Sequence, residues 1–197
     1  MNYKLVDNRI EFTDEKLTEN STNMISVIST YKFTKYMEQM PDGISILRSN
    51  ETRYTKLDVK NKYLQGVIYM PSKKDIFNHT RFGYLIFNRN ILFIDSSDTV
   101  INIIEQLRHS SIDMPTIWKF YYHFLNMLID RDLLYLQDIE NSLSTFENNL
   151  LDGGIDEYNQ RDIIYIRKKL FNQYRFYTQL FEIEHKLNEV DHITLTP

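Results

Sequence analysis

Apolar residues along this chain follow two rhythms, and the change falls near Ser97. Before it, β-branched and aromatic residues come in short runs separated by polar pairs, the pattern of strands. After it, apolar positions recur every three or four residues, as on helices that bury one face.

Residues 4–6 and 9–12 flank Asp7-Asn8 and predict a small hairpin. Residues 13–23 are polar and read as a loop. A short strand is expected over 24–29. Thr30 then caps a helix reaching Gln39, ended by Pro41 and Gly43. Within the ambiguous stretch 43–52, residues 44–47 read as a strand. Four more strand signals follow, at 55–59, 63–70, 84–87 and 91–94. The last two flank a three-residue loop, Asn88-Arg89-Asn90. Runs this apolar are covered on both faces of a sheet.

Three helices complete the pattern. Asp98 or Ser97 caps the first, which carries Val100, Ile103, Ile104 and Leu107 on one side. The second begins at Asp113 with Pro115 in its first turn, where a missing N–H costs nothing. Tyr121, Leu125, Leu128, Leu136, Ile139, Leu143, Phe146 and Leu150 make it one continuous helix of about 50 Å, stopped by Gly153-Gly154. The third starts near Asp156 and bears Ile163, Ile166, Leu170, Tyr177, Leu180 and Leu187. The expected fold class is α+β, an α/β sandwich. Residues 1–112 form a mixed β-sheet flanked by helices, and 113–197 a long antiparallel helical hairpin. Such a hairpin outreaches its own domain, so its apolar seam needs a neighbouring chain or a further segment.

With 197 residues the chain can bury a full core, and 5 Gly with 4 Pro suit long elements. The absence of Cys excludes disulfides, thiolate zinc sites and cysteine nucleophiles. A net charge of −4 disfavours nucleic acid as a partner. No stretch approaches the ~20 apolar residues of a membrane helix. His185 and His192 are too far apart to share a metal ion, and Asp130 and Asp132 point apart on a helix. Trp118, Tyr121, Tyr122 and Phe124 cluster as packing aromatics. No catalytic constellation emerges, and an enzyme is not expected.

Residues 127–151, MLIDRDLLYLQDIENSLSTFENNLL, resemble the long helix of CorA-type magnesium transporters. Asp130 sits on that family's signature Asp, and Ile139, Leu143, Glu147 and Leu150 follow in register. Ile166-Arg167-Lys168-Lys169-Leu170 with Tyr174-Arg175 is similar to the next family helix, which places Arg167 and Arg175 among its matching positions. Residues 56–71 and 84–95 look like the family's central strands, so the resemblance runs from about Tyr54 to the end.

The resemblance implies a cytoplasmic N-terminal domain, at the cytoplasmic face of the cell membrane, of a homopentameric importer of Mg²⁺, or of Co²⁺ or Ni²⁺. It also implies self-association, and sensing of intracellular Mg²⁺ at subunit interfaces. A stalk and two membrane helices would follow, so the chain is expected to be cut from a longer protein. Two departures matter. Asn126 replaces the acidic residue expected four positions before Asp130, and Gln179-Leu180-Phe181 replaces Pro-Leu-Arg. The metal-sensing ligands are therefore left unassigned, with Asp42 a faint candidate. The alternative is a stand-alone module whose hairpin docks a partner helix.

Overall fold

Two turns without glycine hold the sheet's hairpins in register. Asp7 and Asn8 have φ of 47° and 66°, and Asn88 and Arg89 have 46° and 59°. Positive φ at both central residues matches the twist of the flanking strands. In this computed structural model, which describes residues 1–18, 20–37, 53–60, 63–151 and 157–190, the first turn joins β1 (Asn2–Val6) to β2 (Arg9–Phe12). The second joins β6 (His79–Phe87) to β7 (Asn90–Ile94).

Asn90 is therefore the first residue of a strand rather than the last of a loop. It is fully buried. Its Oδ1 accepts from Met24 N at 2.9 Å, and its Nδ2 donates to Ser21 O at 2.7 Å. One amide thus ties the start of β3 (Met24–Ile28) to β7. β6 begins five residues before the expected strand, because residues 79–83 pair with the end of β5 (Leu64–Pro71) as far as Pro71↔His79. β4 (Lys56–Val59) completes the sheet, in the order β2-β1-β3-β7-β6-β5-β4. β3 and β7 run parallel, while every other described pair is antiparallel.

Helices cover both faces of this mixed sheet, as a sandwich requires. On one face Phe33 of α1 (Thr30–Met37) packs with Val67, Leu85, Leu92 and Ile94. The expected strand at 44–47, the end of the helix reaching Gln39, and Asp42 lie outside the described residues. On the other face lie α2 (Thr99–Arg108), α3 (Ile117–Leu128) and α5 (Glu157–Val190). Val100, Ile104, Phe120, Phe124, Phe176 and Ile183 from these helices share one core with Ile25, Phe82, Tyr84 and Phe93 of the strands.

The expected cap of α2 is corrected. Asp98 lies at the N-cap with φ 59° and makes no side-chain cap bond. Asp95, at the end of β7, does the capping: its carboxylate accepts from Ser97 N (2.8 Å), Ser97 Oγ (2.6 Å) and Val100 N (2.9 Å). Asp95 is buried, so these donors have no water to fall back on. Asp95→Ala should cost about 2 kcal/mol, read as a lower urea midpoint at unchanged m. Asp98→Asn, which keeps a side chain suited to that positive φ, should change the midpoint little.

The second expected helix is also corrected. Pro115 precedes the helix, and Thr116 caps α3 by accepting from Lys119 N at 3.1 Å. The helix is not continuous to Leu151. It breaks after Leu128, and three residues separate it from α4 (Asp132–Leu151). Gly153-Gly154 lies outside the described residues. At 1.5 Å per residue, α4 is about 30 Å long and α5 about 50 Å.

Candidate functional site

The break between α3 and α4 is built by tertiary contacts. Arg131 takes a left-handed conformation, φ 61°, and ends the helical run without Gly or Pro. Asp132 follows as the first residue of α4, where a carboxylate meets the positive end of the helix dipole. Although charged, it is buried. Lys73, from the β5–β6 loop, forms an ion pair with Asp132 Oδ1, and Tyr177 of α5 donates to Oδ2 at 2.6 Å. Burial, then the hydrogen bond to Asp132, pushes the Tyr177 phenol well above its ordinary range. Lys73 Nζ also reaches the Asp130 carbonyl at 3.3 Å. Three separate elements thus meet on one carboxylate.

α4 and α5 run antiparallel away from this joint. Asp132 meets Tyr177, while Lys169 lies 5.9 Å from the ring of Tyr135. The β5–β6 loop props α5 as well, with Tyr165 Oη donating to Lys74 O at 3.3 Å.

A groove of about 600 Å³ opens between α3 and α5, lined by Trp118, Tyr122, Leu125, Ile129, Leu180 and Phe181. Tyr122 is 55% exposed and Phe181 67% exposed, while Leu133 nearby in sequence reaches 83%. A single copy therefore leaves substantial apolar surface in water. The expected aromatic cluster divides here. Tyr121 and Phe124 are core, whereas Trp118 and Tyr122 line the groove.

The structure scatters the residues singled out from the sequence. Asp130 is exposed in the break, 3.7 Å from Arg131. Ile139 is buried, Leu143 half-buried and Glu147 exposed along α4. Arg167 and Arg175 are exposed on α5. Asn126 lines the groove. His185 is exposed on α5, and His192 lies outside the described residues. Among the described residues no three His, Asp or Glu side chains converge as metal ligands, and no helix is long and apolar enough to cross a membrane. The sequence pattern does not single out Asp132, Lys73 or Tyr177 as a joint. A carboxylate on an apolar helix face, in step with Leu128 and Leu136, was the available signal.

No protein-family model and no characterised protein sequence matches the chain. Solved structures do. CorA magnesium transporter from Methanocaldococcus jannaschii superposes with a TM-score of 0.69 at 19% identity, covering 98% of this chain and 63% of that one. The ZntB cytoplasmic domain from Vibrio parahaemolyticus gives 0.67 at 14% identity, covering 97% and 80%. Full-length CmaX gives 0.68 at 14% identity, covering 94% and 62%. The chain has the CorA soluble-domain fold. It spans less than two thirds of full-length CorA and CmaX. The likeness also reaches further towards the N-terminus than the motif resemblance from Tyr54, since 98% of the chain is included.

Proposed function

We propose that this chain is a cytoplasmic regulatory domain of a CorA-type divalent-cation transporter. In this reading the domain works in a self-associated ring, a homopentamer, at the inner face of the cell membrane, with the spanning helices supplied by sequence outside the chain. The observation that carries it is the fold likeness to CorA and ZntB over 97–98% of the chain. The uncovered apolar groove supports self-association, because a stable neighbour removes such surface from water.

Mg²⁺ is the proposed cargo, with Co²⁺ and Ni²⁺ as alternatives. A regulatory Mg²⁺ does not fit one copy, since the described carboxylates do not converge. Mg²⁺ demands near-octahedral oxygen ligation and keeps several waters, so one or two carboxylates from each of two copies would suffice. Exposed acids on the hairpin, among them Asp130 and Glu147, are the proposed half-sites. Ile139 and Leu143 would hold α4 in place. Arg167 and Arg175 are proposed to set charge along α5.

Sedimentation velocity and thermal melts in EDTA and in millimolar Mg²⁺ test this. Mg²⁺ should raise both the melting temperature and the associated fraction, and Asp130→Asn with Glu147→Gln should blunt both. No response in either measurement removes the regulatory reading. The groove lined by Trp118 and Phe181 also supports a second reading, a module that docks a partner helix. A gene that ends at Pro197 would favour that reading. One that continues into two apolar spans would favour the transporter.

A further inference from the structure

A second, smaller cavity carries chemistry of the opposite sign. It holds about 220 Å³ between α5 and the outer end of the β5–β6 arm. Arg53 before β4, His79 of β6 and Arg175 of α5 line it, and none of the described residues that line it is acidic. This is unusual local chemistry in a chain of net charge −4. Among the described residues neither arginine has a carboxylate partner. Arg175 Nη2 makes only a long bond, 3.4 Å, to the Arg53 carbonyl. Among the described residues, most of the five N–H donors of each guanidinium are therefore unspent.

The rest of the lining fits an anion as well. Gln179 accepts from Thr55 N at 2.8 Å through Oε1, which leaves its NH₂ group to donate. The nearby carboxylate, Asp75, is occupied by Phe77 N at 2.9 Å and Asn78 Nδ2 at 2.7 Å, and it does not line the cavity. Flat rings stand beside the cations. His79 stacks on Tyr69 with centroids 4.3 Å apart, and Phe77 is 78% exposed with Lys168 Nζ 5.9 Å from its ring.

We infer that this cavity binds a small molecule carrying phosphate beside a planar ring, the chemistry of a nucleoside diphosphate. Planar guanidinium forks match phosphate oxygens in pairs, which suits Arg53 and Arg175. The void has room for a diphosphate and leaves the ring at the mouth, against Phe77. The inference shares Arg175 with the transporter reading but uses neither the joint nor the groove, and its test needs no Mg²⁺ response.

Isothermal titration with ADP, pyrophosphate and adenosine, and co-sedimentation with phosphatidylglycerol vesicles, tests it. ADP should bind saturably, more weakly as salt rises, and more tightly than pyrophosphate or adenosine. Arg175→Gln and Arg53→Gln should each weaken ADP tenfold or more, while Lys4→Gln, whose lysine pairs with Glu15 on β1's side of the sheet, should not. Phe77→Ala should weaken ADP and spare pyrophosphate. Both arginines are exposed, so their variants should melt like the parent. The inference is overturned by absent ADP binding, by ADP binding that survives the double arginine variant, by adenosine or pyrophosphate matching ADP, or by vesicle binding alone.

Discussion

Gly66→Ala should destabilise the protein by about 2–3 kcal/mol, toward the upper end of what overpacking costs. Gly66 lies opposite Tyr84 in the β5–β6 ladder. A Cβ at position 66 would stand 2.3 Å from Tyr84 Cζ and 2.3 Å from its hydroxyl oxygen. The ring cannot swing away, because Tyr84 is fully buried and packs on Tyr121 at 5.2 Å between centroids. Ala normally gains ~0.5–1 kcal/mol over Gly in a strand, and that gain is already set against the clash. For a chain of this length the melting temperature should fall by roughly 5–10 °C. A double-mutant cycle gives the sharper check. Tyr84→Ala alone should cost about 3–5 kcal/mol by leaving a cavity. Gly66→Ala added to it should cost far less than in the parent, since the clash has gone. Strict additivity of the two would mean that the close approach is not what position 66 requires.

Asp132→Ala is expected to cost about 3 kcal/mol, because it strips a buried joint of its common acceptor. Two donors lose their partner. Lys73 is partly exposed and can turn to water, so its share is small. The Tyr177 hydroxyl, bound at 2.6 Å, has less freedom. The charge at the start of α4 is lost as well, worth ~0.3–1 kcal/mol. Asp132→Asn keeps an acceptor for Tyr177 and should cost distinctly less. The damage should also be local. Native-state hydrogen exchange should speed up in α4 and around Tyr177 before it does in the central strands. If Asp132→Ala behaves like a surface change, within ~0.5 kcal/mol, the joint is held by something else.

The hairpin at Asp7-Asn8, the seven expected strands that fall on described residues, and the buried face of α2 were legible because each rests on near neighbours in sequence. Asn88-Arg89 shows where that ends. The local pattern predicts three loop residues, yet the turn uses two, and Asn90 is drawn into β7 by bonds to Met24 and Ser21. The helix break was illegible for the same reason. Residues 117–151 carry an unbroken spacing of three and four, with no Gly or Pro. What stops the helix is Lys73 and Tyr177 meeting at Asp132, and both are distant in sequence. On α5 the reading named Leu170, Tyr177 and Leu187, which are half-buried. Among the described residues the buried apolar positions of α5 are Phe176 and Ile183, set by how the helix rolls onto β4 and β5. The groove drew on residues already noticed, Trp118 and Tyr122, but their outward face depended on that same roll. The basic cavity draws on two arginines and a histidine that no spacing links.

The parallel pairing of β3 with β7 has a consequence for the chain as it leaves the ribosome. The first three strands can assemble early, through β1, but the far edge of β3 stays bare until Ile91 to Ile94 emerge. That is a delay of roughly sixty residues, or several seconds at the usual pace of translation. Throughout that interval Met24, Ile25 and Val27, all buried in the finished protein, offer an open apolar rim to any passing strand. Nascent chains stalled before residue 91 should therefore be the ones that ribosome-bound chaperones hold longest.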